Sequence, residues 1–467
     1  MHSSVKTSAL VVPLTLCWIL VSSCTGDDPA AGAGTGMGSP DGGASSTDGG
    51  DLVADGGDSG GGNDASSGCA NGMKTTLTGV VHDPSGTLPI YNAIAYVPSG
   101  AVGVITSGVA GCERCGAKLA GGAVVAGLTD SSGRFTLENV PVGASVPLVI
   151  QIGKWRRQAV VKVDACVPNV AADAAVRLPK NGSEGDIPKI AVTTGAGDAL
   201  PCLLRKIGLD LTEFTDATGT GHVNLYAGGT GSAAYAGSLN AGGALPAAAG
   251  LWVQLAALKS YDIAVFSCEG KAPASSPQSR QVISDYLTAG GRLMLQHYHS
   301  SWLSSGPAAL PTTGTFDGAL SALDSPQTFD VDSTFPKGAA FADWLSKLPD
   351  SKPRGKIAIS AAKHNIITAG VPAQSWIHAS SPTVGGAAVS ASVQLFTANV
   401  PVGAIPTMAC GRVAMTDMHA SGGDDGSAPF PSGCTTIGFT EQERALAFSL
   451  FDLGSCIQSD AVAPTAP

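Results

Sequence analysis

The chain has 467 residues, which is long enough for two or three domains. Only 13% of the residues are charged, and this composition excludes the strongly basic face that a nucleic-acid-binding protein needs. The net charge of −10 is concentrated in residues 25–68, which contain eight aspartates and no lysine or arginine, so the acidity says little about a substrate.

The first residues have the pattern of an export signal. Lys6 precedes the apolar run ALVVPLTLCWILV, which has the length of a signal-peptide core and is too short to span a bilayer stably. The following VSSC, with Val21 three positions before Cys24, resembles the lipobox of bacterial lipoproteins. This resemblance implies a signal peptide at 1–23, a lipid on the Cys24 sulfur that anchors the chain in a membrane, and a place in the bacterial cell envelope. Thr25 in place of aspartate favours the outer membrane. The alternative is an ordinary secretory cleavage.

A low-complexity segment follows, at 24–68 including the lipidated cysteine. It consists mainly of Gly, Ala, Ser and Asp without an aromatic residue, so it cannot bury enough apolar surface to fold. We expect a disordered tether with an end-to-end distance of roughly 35–40 Å. Its GDSGG run at 57–61 matches the nucleophile motif G-x-S-x-G, but that motif needs a strand before it and a helix after it, and neither is predicted here.

Residues 69–180 have the pattern of an all-β module. Alternating runs such as TLTGVVHD and RFTLENV are separated by turn residues. The runs GVV at 79–81, TDSSGRF at 129–135 and VPVG at 140–143 resemble the carboxypeptidase regulatory-like, transthyretin-like β-sandwich. The resemblance implies an accessory module that supplies no catalytic residues.

Two short motifs in this module have alternative interpretations. Cys112 and Cys115 form a C-x-x-C, which in an exported protein favours a local disulfide over a zinc site, because no further ligands are close in sequence. The run KWRR at 154–157 is suited to anionic glycans or lipid head groups. The alternative is an arginine stacked on Trp155 beside an acidic residue of the same module.

From residue 186 the pattern changes to alternating strands and helices. The runs IPKIAVTTG, HVNLYAG, YDIAVFS, RLMLQHYHS, SVQLFTANV and GRVAMTDMHA predict strands, with a long irregular region before the last two. Runs such as SRQVISDYLTAGG and TEQERALAFSLFDLGSC predict helices. This alternation predicts a doubly wound, flavodoxin-like α/β domain at 186–458 with a short tail at 459–467. Neither a dinucleotide fingerprint nor a P-loop is present.

Part of this domain resembles a known superfold. YDIAV at 261–265, LTAGGRL at 287–293 and GRV at 411–413 are similar to class I glutamine amidotransferase-like proteins, especially their trehalose-utilisation-type branch. In amidotransferases the nucleophilic cysteine follows the strand after A-G-G. Here that position is QHYH at 296–299, and Cys268 lies one strand too early. The resemblance therefore implies the fold and speaks against thioester chemistry.

In a doubly wound sheet, ligands bind beyond the carboxyl ends of the strands. Thr194, Asp198, Cys268 and Glu269 are expected at that edge, with four further residues: His297, His299, Asp417 and His419. Since residues i and i+2 of a strand share a face, the first two and the last two of these four should pair. Three imidazole nitrogens and a carboxylate suit a zinc-like divalent metal. Glu269 and His299 are the candidate catalytic acid or base. In the alternative, the histidines bond loop backbone, Asp417 caps a turn, and no cofactor is bound.

Nine cysteines remain when Cys17 in the signal peptide and Cys24 in the anchor are set aside. An exported protein should pair most of them. The expected pairs are Cys69–Cys166, Cys112–Cys115, Cys202–Cys268 and one drawn from Cys410, Cys434 and Cys456. On this interpretation Cys268 is half of a disulfide, and Glu269 is the residue that faces a ligand.

Two functions are consistent with these features. The first is a non-enzymatic binding or scaffold lipoprotein with a glycan or protein ligand. The second is a metal-assisted hydrolase that uses the four metal-site candidates, with Glu269 as acid or base. Metal content separates the two, because stoichiometric zinc lost on mutation of His297 and His299 favours the enzyme.

Overall fold

The computed structural model describes Cys69 and residues 73–420, 423–435 and 438–466. The predicted signal peptide at 1–23, the lipobox Cys24 and the tether up to residue 68 lie outside these residues. The described residues all belong to one compact unit. None of their helices has both the length and the apolar character needed to cross a membrane.

The N-terminal part of the described chain forms two small β-sheets. Its elements are β1 (Thr76–Val80), β2 (Ile94–Val97), β3 (Val125–Leu128), β4 (Arg134–Glu138), β5 (Gly143–Ile152), β6 (Trp155–Val163), β7 (Pro168–Val170) and α1 (Asp173–Val176). The strand order is β4-β1-β7 in one sheet and β3-β2-β5-β6 in the other. Neighbouring strands are antiparallel except for β1 and β7.

The two small sheets contribute to one hydrophobic core. In β4, Phe135 and Leu137 are buried while the residues between and beside them are exposed, as expected for a pleated strand with one face inward. Leu148 and Ile150 of β5 belong to the same core. The β-structure expected in this part of the chain is therefore present.

The remaining chain alternates strands and helices before and after a strand-rich middle. The elements are β8 (Ile190–Thr193), α2 (Leu200–Lys206), β9 (Phe214–Thr215), β10 (Val223–Tyr226), α3 (Ala248–Leu251), α4 (Leu255–Lys259), β11 (Ile263–Phe266), α5 (Pro277–Thr288), β12 (Arg292–Gln296), α6 (Ser301–Ser304), β13 (Gly314–Ala322), β14 (Gln327–Val331), α7 (Pro336–Ser346), β15 (Lys356–Ile359), β16 (Lys363–Ala369), β17 (Gln374–Ala379), β18 (Thr383–Val384), β19 (Ala387–Ala388), β20 (Ser392–Val400), β21 (Gly411–Thr416) and α8 (Glu441–Gly454).

A ten-stranded sheet organises this part of the molecule. Its order is β15-β14-β17-β20-β21-β12-β11-β8-β10-β9. The six strands from β21 to β9 are mutually parallel, whereas the four from β15 to β20 pair antiparallel with their neighbours. Strands β8, β11, β12 and β21 are buried along their whole length, which explains why their sequences are continuous apolar runs.

The middle region, expected to be irregular, contains strands β13 to β19 and helix α7. Its strands are short or pair with distant partners: β14 is bonded to both β15 and β17, and β13 to β16. These strands are only partly buried, so they lack the nearly continuous apolar runs that revealed the parallel strands.

The two helices predicted most clearly have strong start signals. Helix α5 begins with a capping box between Ser276 and Ser279, followed by Pro277 in its first turn. Helix α8 begins with a capping box between Thr440 and Glu443, and most of its residues are buried. Both helices were predicted from their sequence runs, and the capping boxes fix where they begin.

Four disulfides connect the described residues: Cys69–Cys166, Cys112–Cys410, Cys115–Cys456 and Cys202–Cys434. The Cys69–Cys166 pair was predicted. The predicted local bridge between Cys112 and Cys115 is wrong, because this segment runs beside the end of the chain. The Glu113 carbonyl accepts from the Ile457 amide at 2.8 Å, and the Cys115 amide donates to the Ile457 carbonyl at 3.1 Å. Each cysteine therefore faces a partner on the α/β side.

The predicted Cys202–Cys268 pair is also wrong, as is a pair within the set Cys410, Cys434 and Cys456. Cys202 lies near the start of α2, where it bonds Cys434, 232 residues further along the chain. The loop that contains Cys434 packs closely against the turn between β8 and α2. At Gly426 the two backbones are so close that any side chain larger than hydrogen would collide with the Gly195 carbonyl oxygen. Cys268 is a buried free cysteine.

Candidate metal centre

Polar side chains converge where the parallel strands end. Because parallel strands present their carboxyl ends at one edge of the sheet, the residues following β11, β12 and β21 come together. Cys268, His297 and His419 each offer one ligand atom, and these atoms all lie within 4.8 Å of one another. Among the described residues, these three side chains form the group that could hold a metal ion. We refer to it as the Cys-His-His cluster.

The contacts within the cluster are short and the cluster is closed to solvent. The Cys268 Sγ and His297 Nδ1 atoms are 3.5 Å apart. The rings of His297 and His419 have centroids 5.3 Å apart and meet edge to face. The exposed fractions of Cys268, His297 and His419 are 1%, 3% and 7%.

Two ring nitrogens of the cluster have no hydrogen-bond partner. His297 Nε2 and His419 Nδ1 are buried and unpaired among the described residues. Leaving a buried polar atom without a partner costs roughly 1–3 kcal/mol. In His297 the unpaired Nε2 is not the nitrogen that approaches the thiol, since Nδ1 is the atom 3.5 Å from Cys268 Sγ.

The backbone at His297 has an unusual conformation. Its φ is 42°, in the left-handed region that residues with a Cβ rarely adopt. The residue stands where β12 ends and the 3-10 helix His297–Ser300 begins. The Asn365 side-chain amide donates to the His297 carbonyl at 3.1 Å and helps to hold this turn. Strained residues of this kind are concentrated at functional sites.

A buried glutamine connects the two loops that carry the cluster. Gln296 Oε1 accepts from the Cys268 amide at 3.2 Å, and Gln296 Nε2 donates to the Met418 carbonyl at 3.2 Å. The same nitrogen donates to Asp198, whose carboxylate also accepts from the Ala420 amide at 3.0 Å. Gln296 and Asp198 thus position the loops on either side of the cluster. Burial raises the pKa of Asp198.

Burial keeps all three cluster side chains uncharged. It raises the pKa of the Cys268 thiol to about 11 and lowers the pKa of His297 to about 4. Burial, together with the neighbouring His297 and Lys363, lowers the pKa of His419 to about 3. Neutral imidazole is the form that binds a metal, whereas the thiol must first lose its proton.

Two of the four predicted metal ligands are not part of the cluster. His299 Nε2 donates to the Ser267 carbonyl at 3.0 Å, and His299 Nδ1 accepts from the Trp302 indole at 2.9 Å, so both nitrogens are used. Asp417 accepts from the Asn365 and Ile366 amides at 2.8 and 2.7 Å. The prediction assumed that strands β12 and β21 continue through these residues. They end at Gln296 and Thr416, so the i, i+2 rule does not apply.

Glu269 lies inside the protein beside His299. It is 3% exposed, and its Oε2 accepts from the Gly229 amide at 2.7 Å. Its Oε1 has no hydrogen-bond partner and lies 3.8 Å from His299 Nε2. Burial raises the pKa of Glu269, and burial lowers the pKa of His299 to about 3. The two candidate catalytic residues are neighbours inside the protein.

The basic run at 154–157 is paired with acidic residues. Lys154 contacts Asp262 at 2.5 Å and Arg156 contacts Asp186 at 2.7 Å, while Trp155 is fully buried. Its cations therefore serve internal ion pairs.

Sequence reasoning missed the role of Cys268, Gln296 and Asp198 in this arrangement. One signal was available, since an odd number of cysteines requires at least one to lack an intramolecular partner. The position of Gln296 carried no motif, because its contacts depend on how three loops meet.

Comparison with known proteins gives little further guidance. No protein-family model and no curated protein matches the chain. Among solved structures, a putative ThuA-like protein from Bacteroides uniformis has a TM-score of 0.31 and 11% identity, covering 56% of this chain and 90% of the other. A chain of a type II cohesin–X-dockerin complex from Acetivibrio cellulolyticus has a TM-score of 0.17 and 14% identity, covering 29% of this chain and 85% of the other. The first name agrees loosely with the trehalose-utilisation-type resemblance of the sequence. At these scores neither structure contributes to the argument.

Proposed function

We propose that the protein is an envelope-anchored, non-enzymatic binding or scaffold protein for a glycan or protein ligand, in which the Cys-His-His cluster holds one zinc-type divalent ion in a structural role. Because a structural and a catalytic site would both bind the ion, metal content tests the site itself, and hydrolytic activity distinguishes the two functions. The observation that carries the proposal is the close approach of one thiol and two imidazoles. Zinc lies about 2.3 Å from sulfur and about 2.0 Å from nitrogen, so sulfur and nitrogen on one tetrahedral ion are about 3.6 Å apart. The Cys268 Sγ to His297 Nδ1 distance of 3.5 Å fits this spacing.

The protonation states argue against a nucleophilic cysteine. A catalytic thiolate needs a pKa lowered by a neighbouring cation. Here burial raises the pKa of Cys268 to about 11 and lowers that of its neighbour His297 to about 4, so the pair is a neutral thiol and a neutral imidazole. A bound divalent ion would instead deprotonate the thiol outright.

The burial of the cluster supports a binding or structural role, since no member is more than 7% exposed. The number of ligands supports a second candidate function. Catalytic zinc sites commonly have three protein ligands and an open fourth position. On that count, metal-assisted hydrolysis is the alternative. Hydrolysis of model esters or phosphate esters that requires the bound ion would favour it.

We also propose the finer fold assignments. The parallel strands follow the order β10-β8-β11-β12-β21, leaving aside the two-residue β9. This order, 2-1-3-4-5 along the chain, supports a flavodoxin-like domain of the amidotransferase-like type. The two small sheets, with their shared core, support a carboxypeptidase regulatory-like sandwich.

The place of the protein in the cell is part of the proposal. We propose a lipid anchor on Cys24 in the outer membrane of a bacterial envelope, supported by the lipobox-like sequence VSSC. The four disulfides support an oxidising compartment. Cys268, a free thiol, is protected there by its burial.

Metal analysis of the purified protein tests the metal centre. The expected result is one zinc per chain, lost in Cys268→Ser, His297→Ala and His419→Ala and retained in His378→Ala, which removes a histidine of β17 outside the cluster. Cobalt substitution adds a direct readout, since a cobalt–thiolate bond gives a charge-transfer absorption that Cys268→Ser should remove. A wild-type protein without stoichiometric metal after exposure to zinc would refute the proposal, as would cobalt binding without that absorption.

A further inference from the structure

A cavity lies between the 104–120 loop, the small sheets and the C-terminal segment. Its volume is about 430 Å³, within the range of about 300–1,000 Å³ that small-molecule sites occupy. We refer to it as the loop cavity. None of the Cys-His-His cluster lines it.

The walls of the loop cavity are covalently held. Cys112 and Cys115 line it, and their disulfides to Cys410 and Cys456 attach the 104–120 loop to the α/β part. Two cross-links within four residues restrict the opening and closing of this wall. The cavity is therefore preformed, which lowers the ordering cost of binding a ligand.

The lining contains no aromatic ring, and aliphatic side chains share it with polar ones such as Asn92, Gln151 and Gln458. Its larger apolar side chains are Val104, Ile105, Ile94, Leu119, Leu128 and Ile152. Sugar-binding sites commonly stack a sugar ring on an aromatic side chain, and this lining offers none. The walls instead suit an alkyl chain.

Most charges near the loop cavity cancel. Lys154 contacts both Glu113 at 3.1 Å and Asp262 at 2.5 Å, and Arg292 lies 4.0 Å from Glu113, so these four groups form a neutral network. Arg156 is neutralised by Asp186.

Two cations of the lining stay uncompensated. Arg114 donates through Nε to the Ala409 carbonyl at 2.9 Å, a neutral acceptor, and has no acidic partner among the described residues. Lys118 is exposed and has no acidic partner there either. An anionic head group could pair with both, and the guanidinium of Arg114 suits a carboxylate or a phosphate.

We infer that the loop cavity binds an anionic amphiphile with a single alkyl chain, its carboxylate or phosphate head on Arg114 and Lys118 and its chain against the aliphatic walls. The inference is independent of the metal centre, because the two sites share no residue.

Isothermal titration of the full-length protein with decanoate, decyl phosphate and decylammonium, each below its micelle concentration, tests it. We expect one decanoate or decyl phosphate per chain and binding of decylammonium weaker by tenfold or more. Binding of both anions, or of one of them alone, supports the inference and identifies the head group.

Variants locate the binding in the loop cavity. Arg114→Gln and Lys118→Gln should each weaken anion binding by about tenfold. Ala117→Trp places a large ring at an exposed lining position and should abolish binding without changing thermal unfolding. Lys162→Gln, which removes an exposed lysine outside the cavity, is the matched control. His297→Ala should leave binding unchanged.

Three results would overturn the inference. They are no binding of either anion, equal binding of decylammonium, or full binding by Ala117→Trp.

Discussion

Binding of zinc to the Cys-His-His cluster should release one proton per ion between about pH 5 and pH 10. In this range the Cys268 thiol, with a pKa of about 11, carries a proton that the metal must displace. The imidazoles of His297 and His419, with pKa values of about 4 and about 3, have already lost theirs. The thiol alone therefore sets the pH dependence, and zinc affinity should rise tenfold for each pH unit.

The size of the effect follows from the same values. A pH of 7 is about four pH units below the pKa of the Cys268 thiol, and each unit corresponds to about 1.4 kcal/mol. Deprotonation therefore costs about 5 kcal/mol of the intrinsic binding free energy. Structural zinc binding is worth about 10–16 kcal/mol at pH 7 in small peptides, so a site that bears this cost can still be occupied.

Calorimetry in buffers of different ionisation enthalpy measures the released protons directly. At pH 6 and pH 8 the wild-type protein should release one proton per zinc. Two or three protons at pH 6 would show that the histidines are charged before binding and that burial does not lower their pKa values. No proton at pH 8 would show a preformed thiolate. Either result would refute the reasoning.

Four further outcomes are expected. Burial raises the pKa of Asp83 from 3.8 to about 6, so the folded state keeps a proton that the unfolded state loses. The free energy of unfolding should therefore fall by about 3 kcal/mol as the pH rises from about 4 to about 6.5, and chemical denaturation of Asp83→Asn should show this fall removed. Thiol titration of the chain from residue 62 onward should find one reactive thiol after denaturation and none before, since Cys268 is free and buried; two or more would contradict the disulfides described above. Palmitate labelling in a bacterial host should disappear in Cys24→Ser and persist in Cys17→Ser, and the reverse would contradict the lipobox assignment. Gln296→Leu, which leaves Cys268 and both histidines unchanged, should weaken zinc binding by about 10–100-fold, because Gln296 positions their loops.

Much of the α/β sheet was predictable from the sequence, because buried parallel strands appear there as largely apolar runs. IAVT, IAVF and GRVAMT are strands β8, β11 and β21 of the structure. The polar residues that follow such runs were correctly expected at one edge of a sheet. The strand-rich middle and the antiparallel direction of β20 were not predictable, since both depend on pairing between distant segments.

The candidate site was predicted in its place and only partly in its members. His297 and His419 were named, but Cys268 was assigned to a disulfide and His299 to the metal. The first error concerns chain segments that meet from far apart, as Cys202 and Cys434 do across 232 residues. The second concerns one residue of backbone, since β12 ends before His297, whose φ is positive, so His297 and His299 do not share a strand face.

By itself, then, the sequence determined the local helices and strands and the edge of the sheet at which the polar side chains lie. The reason is that periodicity, capping and turn residues act over a few positions. Tertiary structure alone decided which cysteine has no partner, which two imidazoles share a space with its thiol, and which charges around the loop cavity are already neutralised. Those outcomes depend on distances between segments that are not neighbours in the sequence, and no short-range pattern specifies them.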